Sequence, residues 1–338
     1  MTMMPSVSVV LPFRDAEATL GECLDSLRAQ TLKEHEVIAV DDGSRDRSAD
    51  LIVRYRREDS RIRLLQPGTI GLVTALNLGV AEARASLIAR MDADDIMHPE
   101  RLAVQAASLQ ENPRLALVSC RVELFPADHV RKGYREYEKW QNECLTPADI
   151  TDNLYVESPH AHPSVMFRRA VFEDLGGYRQ GEFPEDYDLW LRMAEAGYEM
   201  AKVPRVLLQW RERPDRISRT DPRYSREAFD RLRAHYLARD PRVRSTGELV
   251  VWGAGRTTRK RVRRLLDLGV QHSGWIDIDP RKIGKTIWGR RVHPPRWLDR
   301  VPRPFVLIYV TNHGARDEIE QCLRAMGYHR GNDYLAVG

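Results

Sequence analysis

The first hundred residues alternate short apolar runs with longer stretches in which apolar side chains recur every three or four positions. Residues 6–11 (SVSVVL) are a β-branched run suited to a buried parallel strand. Over 16–30, Leu20, Cys23, Leu24 and Leu27 share one face at helical spacing. Residues 36–40 (EVIAV) predict a second strand, which ends in Asp41-Asp42-Gly43-Ser44. A helix over 46–57, a strand over 61–65 and a helix over 72–83 follow. A fourth strand, 86–91, runs into Asp92-Ala93-Asp94-Asp95. Such alternation implies a mainly parallel sheet with helices on both faces, and ligands bind beyond the carboxyl ends of its strands. The acidic clusters fall at those ends.

The middle of the chain, 115–208, is mixed, and a helix opens at Glu185-Asp186. Residues 222–239 read as a basic amphipathic helix with Phe229, Leu232 and Tyr236 on one face. After a break at 240–247, strands over 248–252, 275–278, 305–310 and 334–337 alternate with helices to about 268 and over 315–326. This predicts a small Rossmann-like α/β domain. The expected division is a nucleotide-binding domain over 1–215, a basic helical linker over 216–246 and the Rossmann-like domain over 247–338.

A net charge of +4 over 338 residues makes no case for nucleic acid. The excess is local: residues 211–244 hold eleven Arg against six acids, a stretch that suits either solvent or an anionic surface. Cys23, Cys120, Cys144 and Cys322 have neither disulfide-framework nor zinc-ligand spacing, which points to a reducing, cytoplasmic setting. No leader-like charged and apolar segment opens the chain, and no apolar run has membrane-spanning length.

Asp92 and Asp94 lie two apart on an extended chain, so both carboxylates can face one ligand. Paired hard carboxylates suit Mn²⁺ or Mg²⁺ bridging to phosphate oxygens, or they cap a loop. Glu185-Asp186 offers either a general base in a cleft or acids in the first turn of a helix. Asp41-Asp42-Gly43-Ser44 either holds a base or ribose, or is an Asp-Gly turn. Gly253-Ala254-Gly255 lies between a strand and a helix, with Asp277 about twenty residues on, as in dinucleotide-binding turns. Thr258 stands at the third glycine position, so that fingerprint is incomplete. Ligand binding and a scaffold role are both open for this part.

In order along the chain stand VSVVLPFRDAE (7–17), VDDGSRD (40–46), ALNLG (75–79), ARMDADD (89–95), PERL (99–102), HPS (162–164) and EDYDLW (185–190). Together they resemble family 2 glycosyltransferases of the GT-A fold over about residues 5–215. The resemblance implies a nucleotide-sugar donor and a hexosyltransferase-like, inverting transfer to an acceptor hydroxyl. It implies that Pro12, Asp41 and Asp42 line the nucleotide pocket, with Asp15 beside it where the family usually has Asn. Asp92 and Asp94 would hold ribose, diphosphate and a Mn²⁺ or Mg²⁺ ion, and Arg90 would pair with that cluster or the diphosphate. Asp186 would be the general base, with Glu185 beside it, and His162 would reach metal or substrate or serve the fold. A glycan or lipid-linked acceptor in surface polysaccharide or glycolipid assembly is expected, with peripheral contact at the inner face of the cytoplasmic membrane. The alternatives are an inactive nucleotide-sugar-binding module, and a nucleotidyltransferase or oxidoreductase working through Gly253, Gly255 and Asp277.

Overall fold

The computed structural model describes residues 4–311 and 314–338. The elements follow in chain order as β1 (Val7–Phe13), α1 (Leu20–Arg28), β2 (His35–Asp41), α2 (Ser48–Glu58), β3 (Ile62–Leu65), α3 (Leu72–Ala81), β4 (Leu87–Arg90), β5 (Ile96–Met97), α4 (Arg101–Glu111) and β6 (Leu115–Phe125). Next come α5 (Lys132–Glu143), α6 (Pro147–Asn153), β7 (Met166–Arg168), α7 (Arg169–Asp174), α8 (Glu185–Glu195), β8 (Glu199–Arg211) and α9 (Ile217–Thr220). The remainder is α10 (Arg226–Leu237), α11 (Pro241–Arg244), β9 (Leu249–Trp252), α12 (Arg256–Asp267), β10 (Gly274–Ile276), β11 (Thr286–Ile287), β12 (Arg290–His293), β13 (Phe305–Ile308), α13 (Ala315–Ala325) and β14 (Tyr334–Ala336). The fold divides into two compact units, Met1–Ile150 with Pro159–Arg223 and Thr151–Ser158 with Tyr224–Gly338.

The first unit is built on one sheet in the order β3-β2-β1-β4-β7-β6-β8-β5. β1 runs parallel to β2 and β4, β2 to β3, and β6 to β8, while β7 is antiparallel to both neighbours. Every residue of β1 and β2 is buried, as strands covered on both faces require. Leu20, Cys23, Leu24 and Leu27 of α1 are buried against this sheet, so the predicted face is the packed one. The helix itself is shorter than 16–30. The Ala16 amide donates to Ser48 Oγ (2.8 Å) and the Glu17 amide to Asp46 Oδ2 (3.0 Å), which ties these residues to the start of α2 and the loop before it.

The second unit has the sheet order β11-β12-β10-β9-β13-β14, parallel throughout except for the β11–β12 pair. Its core gathers Val250, Trp252, Ile276, Val306, Ile308, Leu323 and Tyr334. The basic stretch over 222–239 is not one helix. A 3-10 turn at Pro222–Tyr224 precedes α10, and the Ser225 side chain caps α10 by accepting from the Ala228 amide (3.3 Å). α10 packs on α12 and belongs to the second unit. Leu232 and Tyr236 are buried as their spacing predicts, and Arg233 is buried with them. No described helix is long and apolar enough to cross a membrane.

Gly79 sets how closely α3 approaches β1, since a Cβ there would stand 2.5 Å from Val10 Cγ1 and 3.4 Å from Val40 Cγ2. Both neighbours are β-branched and stiff. Gly79→Ala is therefore expected to lower unfolding stability by about 1–3 kcal/mol, read from urea titration. An unchanged or higher midpoint would show that the strand yields.

Candidate active site

β1, β2 and β4 end side by side, so their carboxyl ends open on one cleft. The Asp42 amide donates to Phe13 O (2.9 Å) and the Met91 amide to Val10 O (3.1 Å), extending the ladder to the acidic residues. Pro12 is buried within β1, opposite Val40. Asp41 Oδ1 accepts from the Ser44 amide (2.8 Å) and Asp42 Oδ1 from the Ile70 and Gly71 amides (2.7 Å each). Gly43 has φ +77°, and a Cβ there would run into Thr69, so the turn is closed to side chains. Asp15 adopts φ +48°, which Asn and Asp tolerate better than other side-chain-bearing residues. Its carboxylate accepts from the Arg45 amide (2.7 Å) and its own amide donates to Ser44 Oγ (3.1 Å), joining the loops after β1 and β2.

Beyond β4 the chain folds so that ligand atoms of Asp92, Asp94 and Asp95 lie within 4.8 Å of one another. From the N-cap of α1, Thr19 Oγ1 donates to Ala93 O (3.1 Å), and within α1 Cys23 Sγ donates to Asp92 O (3.3 Å), which fixes the turn. Asp95 is 1 % exposed. Its Oδ1 accepts from the Arg211 amide (2.8 Å), while its Oδ2 is buried with no hydrogen-bond partner. Burial first, and then the neighbouring carboxylates, push the Asp95 carboxyl well above its usual range and raise Asp94 as well. Three hard oxygen donors and one orphaned carboxylate oxygen fit a divalent cation. The D-x-D spacing leaves Asp95 out. Two further groups came from far along the chain: Arg211 Nε donates to Asp94 O (2.6 Å), and Arg213 Nη1 stands 4.0 Å from Asp94 Oδ2.

Arg90 is buried and ion-pairs with Asp92. Beneath it, Arg101 of α4 donates to the carbonyls of Arg90 (2.9 Å) and Val165 (3.3 Å), locking β4 to the segment that carries His162. His162 Nε2 lies 2.8 Å from Tyr178 Oη and Nδ1 lies 3.8 Å from Glu185 Oε1, so both ring nitrogens face protein groups. Burial, and then the Arg90 charge, hold the ring neutral. Glu185 is buried in the first turn of α8, with Arg223 Nη1 4.0 Å from its other oxygen. The adjacent Asp186 carboxyl is pushed up to about 7 by burial and by the Glu185 charge, against a smaller lowering by Arg90. Arg90 thus acts on Asp92 and on Asp186, so the acidic cluster and the α8 carboxylates share one environment.

The glycine turn lies elsewhere, in the second unit. Gly253 has φ +111°, and a Cβ there would be 3.0 Å from Val310 Cγ2. Gly255 is the N-cap of α12. Asp277 Oδ2 accepts from the Ala254 amide (2.8 Å) and Lys282 Nζ (3.0 Å), and Oδ1 from the Asp279 amide (2.9 Å). Both of its oxygens are engaged in closing the turn itself.

The model of the glycosyl transferase family 2 matches residues 8–176, half of the chain. The amylovoran biosynthesis glycosyltransferase AmsE of Erwinia amylovora is 30 % identical over 217 residues, covering 64 % of this chain and 79 % of that protein. The putative glycosyltransferase EpsE of Bacillus subtilis is 31 % identical over 227 residues, covering 65 % and 78 %. Among solved structures, S. aureus TarS 1–349 in complex with UDP-GlcNAc superposes with a TM-score of 0.54 at 16 % identity, covering 80 % of this chain and 82 % of that one. The mannosyltransferase PcManGT of Pyrobaculum calidifontis, in complex with GDP-Man and Mn²⁺, gives 0.50 at 20 % identity, covering 80 % and 70 %. At such identities the structural likeness speaks for the GT-A fold alone, whereas the family model and the curated relatives speak for descent. The chain belongs to glycosyl transferase family 2.

Proposed function

We propose that this protein moves a sugar, with inversion, from a nucleoside-diphosphate sugar to a hydroxyl of a glycan or lipid-linked acceptor. The observation that carries this is the shared setting of two carboxylate groups: a cation-ready trio at the end of β4 and a raised carboxyl at the start of α8, with Arg90 acting on both. Pro12, Asp15, Asp41 and Asp42 border the nucleotide in this reading, and Asp92 and Arg90 face ribose and diphosphate. Asp94 and Asp92, with Asp95 behind them, hold Mn²⁺ or Mg²⁺. A bound divalent ion supplies charge neutralisation for the leaving diphosphate.

The Asp186 carboxylate takes the proton of the acceptor hydroxyl as that oxygen bonds to the anomeric carbon. The bond from the anomeric carbon to the diphosphate oxygen breaks, and its electron pair leaves with the nucleoside diphosphate. One displacement gives one inversion. The name of the Erwinia relative, amylovoran biosynthesis, supports a polysaccharide setting. Weak, salt-sensitive contact with an anionic membrane face belongs to the same reading, through the basic stretch over 211–244. A panel of nucleotide sugars assayed with Mn²⁺ for donor hydrolysis and transfer tests the whole reading, and no turnover of any donor would refute it.

Because a base must be deprotonated to work, kcat should rise with pH through about 7, the value at which the Asp186 carboxyl titrates. Glu185→Gln removes the charge that helps raise Asp186, so the rising limb should move to lower pH. Asp186→Asn should cut kcat by about 10² or more with donor affinity retained. Loss of donor affinity with turnover of the bound fraction intact would make Asp186 a binding residue instead.

Asp95→Asn keeps an oxygen for the Arg211 amide and removes one of three crowded charges. The metal-free variant should melt about 2–4 °C higher, the shift that about 1 kcal/mol gives in a unit of this size. Its further rise on adding Mn²⁺ should be smaller than that of the unmodified protein. An equal rise by calorimetry would remove Asp95 from the cation site.

A further inference from the structure

The chain beyond β8 passes close to both carboxylate groups of the cleft. Arg211, at the end of β8, holds Asp94 O and Asp95 Oδ1. Further along, Arg223 Nη1 stands 4.0 Å from Glu185 Oε2. Residues 211–223 hold five arginines and three acids. Their anchor is Glu212, which is 1 % exposed. It accepts from Arg216 (3.3 Å) and from Arg219, and those two guanidinium groups lie over the rings of Trp210 (4.3 Å) and Tyr134 (4.5 Å). The Glu212 amide donates to Phe125 O (2.7 Å).

Arg213 is held differently. It lies among residues 212–216, between β8 and α9, which form neither helix nor strand. Its Nε and Nη2 bind Asp215 (3.0 and 2.6 Å), a partner on the same short loop, and both side chains reach solvent. The third nitrogen, Nη1, faces Asp94 Oδ2 at 4.0 Å. Burial and Asp92 push the Asp94 carboxyl up, and Arg216 and then Arg213 oppose them. Arg216 is fixed by Glu212 and Trp210, whereas Arg213 can swing together with Asp215 and leave that anchor intact. A pair 4.0 Å apart is a charge contact without a hydrogen bond, and it is given up at small cost. A divalent cation on Asp92 and Asp94 brings two positive charges beside this guanidinium, and like charges so close repel.

We propose that Arg213 is the resident counter-charge of Asp94, displaced by the divalent cation and then taken up by the diphosphate of the donor. The inference rests on the cation and donor reading given above. A guanidinium fork matches phosphate oxygens as it matches the Asp215 carboxylate. In the donor-free protein the cation and Arg213 compete for Asp94. Once the diphosphate is present they cooperate, because its charge pairs with both. The empty site therefore holds a cation weakly, and the loaded site holds it tightly.

Calorimetric titration of the full-length protein tests this, first with Mn²⁺ alone and then at saturating Mn²⁺ with UDP or GDP, whichever the unmodified protein binds more tightly. Arg213→Gln should bind Mn²⁺ about two- to fivefold more tightly, the scale of an exposed ion pair. It should bind the nucleotide about tenfold or more weakly, the scale of a lost charge-assisted hydrogen bond. Arg213→Lys keeps the charge but not the fork, so it should match the unmodified protein for Mn²⁺ and lose part of the nucleotide affinity. Opposite signs in the two titrations mark the exchange. Weakening of both in Arg213→Gln makes Arg213 merely structural and overturns the proposal, as does an unchanged affinity in either titration, and the cation site then still stands. If the unmodified protein binds no Mn²⁺, or neither nucleotide, the reading above fails and this inference with it.

Discussion

Like charge held together at the end of β4 is the constraint on which the first unit depends. Asp92, Asp94 and Asp95 repel one another, and the buried position of Asp95 strengthens that repulsion because little water screens it. Such a turn persists only when the surrounding structure over-determines it. Thr19 and Cys23 hold its carbonyls from one side, Arg211 holds Asp94 O and Asp95 Oδ1 from another, and Arg90 neutralises Asp92 from below. Each restraint comes from a different element: α1, β8 and β4. The sheet order that brings these elements together is therefore as much a requirement of the acidic turn as of the apolar core.

Much of this was legible in the sequence. β1, β2 and β4 are apolar runs ended by acids, and in a parallel sheet those ends converge. The helical face of α1 could be read from spacing because four apolar residues three and four apart have few other uses. Illegible were the partners that arrive from a distance. Nothing local marks Arg211 as the group that closes the acidic turn more than a hundred residues upstream. Asp95 escaped the D-x-D pattern because alternation on an extended strand places it opposite Asp94, whereas the chain turns there and the Asp95 amide donates to Asp92 O (3.3 Å). His162 could be found by sequence but not interpreted, since Tyr178 and Glu185 face its two nitrogens only in the fold.

The second unit shows a different case, where the local turn was legible but its sequence left a ligand site and a scaffold role both open. Gly253 does make a tight strand-to-helix turn, and the Asp277 carboxylate does reach it. In this chain that carboxylate is spent on the turn itself, bonded to Ala254, Asp279 and Lys282. A fingerprint specifies where groups stand, while hydrogen bonding decides whether they are free. The same holds for α10. Its arginines suited either solvent or an anionic surface, but Arg233 turns inward because α10 packs on α12 and the helix must bury one face.

Buried arginine therefore does two different jobs in this protein. Arg101 is completely buried and directs its donors at neutral oxygens: the carbonyls of Arg90 and Val165 and the side chain of Gln105 (2.9 Å). A guanidinium can be held this way because its charge is spread over three nitrogens and its five donors are all directional. Burial lowers its affinity for the proton, and the smaller opposing pull of neighbours such as Cys120 and Asp95 does not restore it. Its role is to make two backbone segments rigid. Arg90, eleven residues earlier and equally buried, faces Asp92 instead and leaves Nε without a hydrogen bond. Burial lowers it, but the pull of Asp92, with smaller help from Tyr178 and Asp95, raises it overall. A buried cation that is stabilised by charge and left short of hydrogen bonds is set to interact with an anion, whereas one saturated by carbonyls is not. By that criterion Arg101 is framework for the cleft, and Arg90 fits the donor-facing role proposed for it.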